Sequence, residues 1–168
     1  MDRDATLRTA SDIMTTTVYS LRPDMLARQA SRALSRRGFS GAPVIDSGGT
    51  LVGVVSGSDL IRGLAAAAFS GGPADTVEQL MSKQVETVSP DADLFAIADR
   101  LQRTGLRRLP VVVDGHLVGI VTRGDLMRAL TLVCEERCGE VVGGTIDKVA
   151  DMELVHNPFP GRRLKRPS

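Results

Sequence analysis

The sequence predicts a protein of the α/β (α+β) class, made of two similar β-α-β-β-α units that pack on each other with pseudo-twofold symmetry. The first supporting observation is an internal repeat: DIMTTTVYSLRPD, which starts at Asp12, recurs 67 positions later as QLMSKQVETVSPD. The second is the spacing of apolar residues, which changes between the period of a strand and the period of a helix in the same order in both copies. A unit of about 55 residues buries too little surface to be stable alone, so we expect the two to form one body.

The register of the repeat defines the domain boundaries. Pro43 matches Pro110, and after one deletion LVGVVSGSDLIR from Leu51 matches LVGIVTRGDLMR from Leu117. We therefore assign repeat 1 to residues 11–66, a linker to 67–77 and repeat 2 to 78–132. Residues 1–10 form an N-terminal extension. Residues 133–168 form a C-terminal extension, which is predicted to be disordered from residue 157 because its end is rich in Pro, Gly and basic residues.

Each unit predicts the same elements in order. A short strand (TVYSL or VETVS) precedes Pro-Asp, which is typical of a turn and a helix start. The next helix is predicted to end in a left-handed residue at Gly38 or Gly105. A hairpin follows (APVID with LVGVVS, or LPVVV with LVGIVT), and a closing helix begins near Asp59 or Asp125.

Composition excludes several classes of partner. The 168 residues are 42% hydrophobic and 24% charged with a net charge of +1, so no overall field attracts nucleic acid or a membrane. No apolar run approaches the roughly 18 to 20 residues that span a bilayer. The charged start lacks the apolar stretch of a secretory signal, so we expect a cytoplasmic protein. One Tyr and no Trp offer little for base stacking, and we read the basic tail RRLKR as a solubilising end rather than an RNA contact.

Nothing in the sequence indicates catalysis or a metal site. It has no nucleophile-base-acid set, P-loop or dinucleotide fingerprint, so we predict a protein that is not an enzyme. Cys134 and Cys138 together with His156 could bind metal or respond to redox state, but reduced thiols are the favoured interpretation.

The strand-to-helix junctions are the candidate functional elements. Ser56 with Asp59, and Thr122 with Asp125, place a hydroxyl three residues before an acid, which is the pattern of a helix capping box. An aspartate that accepts two hydrogen bonds also suits the adjacent hydroxyls of a ribose. Capping and ligand binding remain open together, because one hydroxyl can serve both.

Two further observations favour a ligand at these junctions. A glycine lies three residues upstream in both copies, Gly53 and Gly119, where a side chain would fill the space beside the helix start. Three arginines, Arg107, Arg108 and Arg123, belong to the second copy, and a guanidinium binds phosphate through two hydrogen bonds. A helix N-terminus also favours anions.

The duplicated unit, closing each time on Gly-x-x-Ser/Thr-x-x-Asp, resembles a tandem pair of CBS domains (a Bateman module) over residues 11–130. This resemblance implies adenine nucleotides or adenosyl compounds bound in clefts between the units. It implies that the motif aspartates hold ribose, that the motif hydroxyls lie near ribose or phosphate, that the position three before the strand proline binds phosphate, and that the strand entry offers backbone to adenine. The positions that match these roles are Asp59, Asp125, Ser56, Thr122, Ser40, Arg107 with its neighbour Arg108, Val18 and Val85.

The resemblance therefore implies a non-catalytic regulatory module that senses AMP, ADP or ATP, needs no other cofactor, and signals to an unidentified protein partner as a homodimer. Repeat 1 has Ser40, Gly41 and Gly57 where repeat 2 has three arginines, so we expect unequal sites with phosphate gathered mainly by repeat 2. The alternative is a ligand-free scaffold or interaction module. In that case both aspartates would be engaged wholly in helix caps, and apolar side chains would close the clefts.

Overall fold

The computed structural model describes residues 8–73 and 75–138. The rest of the predicted terminal extensions (1–7 and 139–168) and linker position 74 lie outside the described residues. Repeat 1 contains α1 (Ala10–Ile13), α2 (Ala27–Arg37), β1 (Gly41–Ile45), β2 (Leu51–Ser56) and α3 (Gly57–Ser70). Repeat 2 contains α4 (Val77–Leu80), α5 (Leu94–Thr104), β3 (Arg108–Val113), β4 (His116–Thr122) and α6 (Arg123–Cys138). The mixed α+β class is confirmed.

The predicted first strand of each unit is much shorter than expected. Only Leu21 and Val88 pair there, each through one parallel bridge to the hairpin, at Val44 and Val111. The Leu21 N–H donates to Pro43 O at 2.9 Å, and Leu21 O accepts from the Ile45 N–H at 3.0 Å. The pairing cannot extend forwards because the Pro-Asp turn follows and proline has no N–H to donate. It does not extend backwards because the preceding chain comes from the hairpin of the opposite repeat, with which Thr15 and Ser82 pair.

The first long helix of each repeat forms for the predicted reason. Ala27, Ala30 and Leu34 are the buried residues of α2, and Leu94, Ile97 and Leu101 repeat that spacing in α5. Both helices end as predicted in the left-handed conformation, at Gly38 with φ 67° and Gly105 with φ 69°.

The hairpins are antiparallel and meet at their tips. Gly41 pairs with Ser56 in repeat 1, and Arg108 pairs with Thr122 in repeat 2, so each hairpin begins beside its own strand-to-helix junction. At the tips, the Leu51 N–H donates to Gly115 O at 2.9 Å and the Leu117 N–H donates to Gly49 O at 3.2 Å.

The two repeats exchange their leading helices. Ala10 of α1 is buried in a cluster with Ile97 and Leu109 of repeat 2, and Val77 of α4 is buried in a cluster with Leu21 and Leu34 of repeat 1. Such reciprocal contacts are what a twofold axis generates, and they confirm the expected pseudo-twofold packing. Neither repeat therefore has a complete core without a helix from the other.

A methionine from each repeat fills the space beside a glycine of the other. A Cβ added at Gly53 would lie 2.6 Å from Met81 Sδ and 2.9 Å from Ser82 O, and a Cβ at Gly119 would collide with the Met14 side chain. The two glycines therefore admit a side chain of the other repeat. This corrects the interpretation that they leave room for a ligand beside the helix start.

The same contact brings the backbones into register. Val54 and Ser82 exchange two hydrogen bonds, of 2.9 and 2.8 Å. Thr15 and Ile120 do the same at 2.9 and 3.0 Å. The chain that follows each methionine is thereby aligned along the hairpin of the opposite repeat.

We expect Gly53→Ala to lower the free energy of unfolding by about 1 to 3 kcal/mol, because its methyl group meets the Ser82 backbone as well as Met81. Gly119→Ala should lower the free energy of unfolding by less, since the three nearest atoms all belong to the flexible Met14 side chain. Gly124→Ala is the control, because its nearest neighbours lie 3.6 Å away. Urea denaturation measures all three, and equal stability of Gly53→Ala and Gly124→Ala would contradict the packing described.

A capping contact at the start of α1 predicts acid sensitivity. The pKa of Asp12 is held below its ordinary value by hydrogen bonds from the Thr9 N–H and the Thr9 hydroxyl. A lowered folded-state pKa contributes stability above the unfolded value of about 3.9, and this is lost as pH falls through the folded value. We expect the difference in Tm between wild type and Asp12→Asn to shrink when pH is lowered from 6 to below about 4. A constant difference across that range would contradict it.

Candidate functional site

A cavity of about 520 Å³ opens between the repeats, a size suited to a small-molecule ligand. Repeat 1 contributes Ser56, Asp59 and residues 40–43, and repeat 2 contributes residues 84–86 and 106–108. The Val54–Ser82 pairing explains this meeting, because it carries the chain after Met81 past the junction of repeat 1. Apolar side chains complete the walls, among them Val54, Val85, Leu106, Pro110 and Ile120.

The two junctions are helix caps, as the capping interpretation predicted. The Ser56 N–H and hydroxyl donate to Asp59 Oδ2 at 2.9 and 2.6 Å, and the Asp59 N–H donates back to Ser56 Oγ at 3.3 Å. Thr122 and Asp125 form the same contacts at 2.8, 2.6 and 3.2 Å. One carboxylate oxygen of each aspartate is thus committed to its own helix.

The other carboxylate oxygen is more loosely held. Asp59 Oδ1 accepts a hydrogen bond from Arg62 at 3.1 Å, and Asp125 Oδ1 accepts one from Arg128. The Arg62 side chain is 71% exposed. Exposed ion pairs contribute only about 0 to 1 kcal/mol, so a ligand hydroxyl can replace Arg62 at Asp59 Oδ1 without disturbing the cap.

Two arginines of repeat 2 face this cavity. Arg108 is half-buried and bridges the repeats by donating to Gly41 O at 3.1 Å and to Ser40 Oγ at 2.8 Å. Arg107 is exposed, and its side chain forms no ion pair with any residue in the described part of the chain. Neither guanidinium is therefore neutralised by a carboxylate within residues 8–73 and 75–138.

The third arginine lies elsewhere. Arg123 Nε donates to Leu106 O at 2.7 Å, and Arg123 Nη2 reaches Leu101 O at 3.5 Å. It lines a separate groove between α5 and α6. At the start of α6 it lies beside the end of α5, where free carbonyl groups favour a cation. The three arginines grouped by the sequence analysis are thus divided by the fold.

The predicted site residues fall into two groups, those that line the cavity and those that do not. One cavity is lined by Ser40, Ser56, Asp59, Val85, Arg107 and Arg108. Its lining does not include Val18, Thr122, Arg123 or Asp125. The sequence analysis associated the repeat 2 arginines with Asp125 of their own repeat, whereas the structure places them with Asp59, because the exchanged segments bring opposite repeats together.

Glu86 is a charged lining residue that the sequence analysis did not single out. Its carboxylate pairs with Arg100 on α5 at 3.6 Å. Its position directly after Val85, a predicted site residue, was the available signal, although successive side chains of an extended chain point in opposite directions.

The equivalent positions of repeat 1 carry different side chains. Glu86, Leu106 and Thr104 all line the cavity, and 67 positions earlier stand Tyr19, Phe39 and Arg37. The Arg37 guanidinium lies 4.1 Å from the centre of the Tyr19 ring, a cation-π contact. The Tyr19 and Phe39 ring centres are 6.1 Å apart.

The counterpart of Arg108 admits no side chain at all. A Cβ at Gly41 would lie 2.7 Å from Val55 O, so this glycine is required by a close approach of backbone. The surroundings of Asp125 therefore differ from those of Asp59 in both charge and shape.

Two structural features are absent from the part of the chain that the structure describes. None of its helices is long and apolar enough to cross a bilayer. Within the same residues no three His, Cys, Asp or Glu side chains lie close enough together to hold a metal ion. Of the alternative metal or redox set, Cys134 is exposed, while the Cys138 side chain and His156 lie outside the described residues.

Comparison with known proteins finds relatives that match most of this chain. The chain is 35% identical to CBSX2 in a crystal structure in complex with AMP, with a TM-score of 0.66 over 74% of this chain and 97% of that one. It is 33% identical to a 17.7 kDa protein in the bps2 3' region of Acidianus ambivalens, covering 86% of this chain and 89% of that protein. It is also 34% identical to the A-adding tRNA nucleotidyltransferase of Aquifex aeolicus, over 71% of this chain but only 14% of that enzyme.

The family model for the CBS domain matches the sequence twice, at residues 10–66 and 77–132. These matches cover the two structural repeats, including the exchanged helices α1 and α4. The chain therefore belongs to the CBS-domain family and carries two CBS domains in tandem.

Proposed function

We propose that this chain is a non-catalytic regulatory module that binds an adenine nucleotide (AMP, ADP or ATP) in the cavity between its CBS domains. The observation that carries the proposal is one cavity that combines Asp59 and Ser56 of repeat 1 with Arg107 and Arg108 of repeat 2. The AMP complex of CBSX2, which is 35% identical, supports the same class of ligand.

The chemistry of the cavity matches the parts of a nucleotide. Asp59 Oδ1, held only by an exposed arginine, accepts hydrogen bonds from a ribose diol. Val85 and the aliphatic walls receive the base, with backbone groups reading its edge. Arg107 and Arg108 supply two guanidinium groups for phosphate.

Regulation follows from the position of Arg108. It joins the two repeats through Ser40 and Gly41 at the edge of the cavity, so a ligand that contacts it also acts on the contact between repeats. A ligand shifts output only by its difference in affinity for two states. We propose that these states differ in how the module meets a protein partner.

A ligand-free scaffold is the second candidate. The hydrogen bonds of the aspartates support this candidate, because both carboxylate oxygens of Asp59 and of Asp125 already have partners within the chain. Against it stands the open cavity of about 520 Å³, which apolar side chains do not close.

We also propose that the chain forms a homodimer through its helices. Ile61 on α3, Phe95 on α5 and Met127 on α6 are 68%, 63% and 67% exposed, so three helices present large apolar side chains to solvent. The surface of a second copy would cover them.

Asp59→Ala should weaken AMP binding by at least about a hundredfold, since it removes two hydrogen bonds to a charged group at roughly 1.5 to 3 kcal/mol each. Asp125→Ala is a matched control that loses an equivalent cap and an equivalent arginine pair outside this cavity. Isothermal titration calorimetry measures affinity, and circular dichroism checks the fold. Full binding by Asp59→Ala would refute this site, and no binding of AMP, ADP or ATP by the wild type would favour the scaffold.

The dimer is tested by sedimentation of the intact chain, whose monomer mass is 17.9 kDa. We expect twice that mass for the wild type and monomers for the double variant Ile61→Lys, Met127→Lys, because buried lysines are costly. Val113→Lys, on the β3 hairpin, is the control and should remain dimeric. A monomeric wild type at all concentrations would contradict the proposal.

A further inference from the structure

The carboxylates that line the cavity have charged partners within the described residues, whereas the arginines that line it do not. Its two lining carboxylates, Asp59 and Glu86, each have an arginine partner, Arg62 at 3.1 Å and Arg100 at 3.6 Å. Each of these pairs is close to electrically neutral when viewed from the cavity.

The lining guanidinium groups have no such partners. Arg108 meets only neutral acceptors, Gly41 O and Ser40 Oγ, and the Arg107 side chain meets no carboxylate within the described residues. The six charged groups around the cavity, four arginines and two acids, therefore leave two positive charges. Paired charges across a binding site favour a ligand of complementary charge.

Building on the proposed function, we infer that this cavity selects a nucleoside monophosphate over adenosyl compounds without phosphate and over nucleoside triphosphates. A phosphate monoester carries about −1.5 to −2 at neutral pH, which balances the two guanidinium groups. Adenosine leaves both of them uncompensated, and the sulfonium of S-adenosylmethionine adds a positive charge near them.

A triphosphate brings more negative charge than Arg107 and Arg108 can neutralise. Among the described residues, the other charged side chains that line the cavity are the carboxylates Asp59 and Glu86, so no further cation lines it for the added phosphates. Glu86 acts here as a specificity-determining residue because it holds Arg100 in an ion pair and so keeps that positive charge from a longer phosphate chain. Its counterpart in repeat 1 is the uncharged Tyr19.

The test titrates the intact chain by calorimetry with AMP, adenosine, S-adenosylmethionine and ATP, with EDTA present so that no metal neutralises the phosphates. We expect AMP to bind most tightly, and at least about tenfold more tightly than adenosine, because it gains charge-assisted hydrogen bonds. Arg107→Gln should reduce the difference in binding affinity between AMP and adenosine. Arg103→Gln, an exposed arginine paired with Asp99 outside the cavity, should leave it unchanged.

The variant Glu86→Gln tests directly whether Glu86 selects AMP over ATP. It leaves Arg100 without its carboxylate and so adds one positive charge beside the cavity, and we expect the affinity for ATP to rise relative to that for AMP by about fivefold or more. Tighter binding of ATP or S-adenosylmethionine than AMP by the wild type, or an unchanged ATP-to-AMP ratio in Glu86→Gln, overturns the inference. In either case the proposed function survives if Asp59→Ala still abolishes binding, whereas a wild type that binds none of the four ligands overturns both.

Discussion

The reciprocal seating of Met81 beside Gly53 and Met14 beside Gly119 is the contact on which the other features of this molecule depend. It holds α1 and α4 in the opposite cores, and it aligns Ser82 with Val54 through two backbone hydrogen bonds. Without this alignment, residues 84–86 would not reach the Ser56–Asp59 junction. The cavity is thus a consequence of the way the core is shared.

The junction shows how one aspartate can cap a helix and still offer an oxygen atom to a ligand. The Oδ2 atom of Asp59 satisfies helix-terminal N–H and hydroxyl donors that would otherwise be left without partners. The Oδ1 atom has only an exposed arginine as partner, and solvent competes well for such a contact. Capping therefore does not argue against binding, because the two tasks use different oxygens of the same group.

Duplication has produced two strand-to-helix junctions with related backbones and different surrounding side chains. Repeat 2 presents Arg107 and Arg108, whereas the equivalent Ser40 and Gly41 of repeat 1 serve as partners for Arg108. Gly41 approaches Val55 O too closely to carry a side chain, so the asymmetry is built into the packing of the hairpin. Arg108 consequently belongs to the repeat interface as much as to the cavity.

Local sequence determined the elements of this protein. Apolar spacing gave α2 and α5, Gly38 and Gly105 ended them, and a hydroxyl three residues before an acid gave the caps of α3 and α6, because such preferences act within a few residues of chain. The first strands were overestimated, because the chain before Leu21 and Val88 comes from the hairpin of the opposite repeat and not from their own. Of the predicted site residues, the fold brings Asp59, Arg107 and Arg108 to one cavity, whereas the sequence analysis had grouped the arginines with Asp125 and Arg123, which do not line it. Only the tertiary structure decided those groupings, because they depend on which surfaces of the two repeats are buried against each other, and no local spacing encodes that exchange.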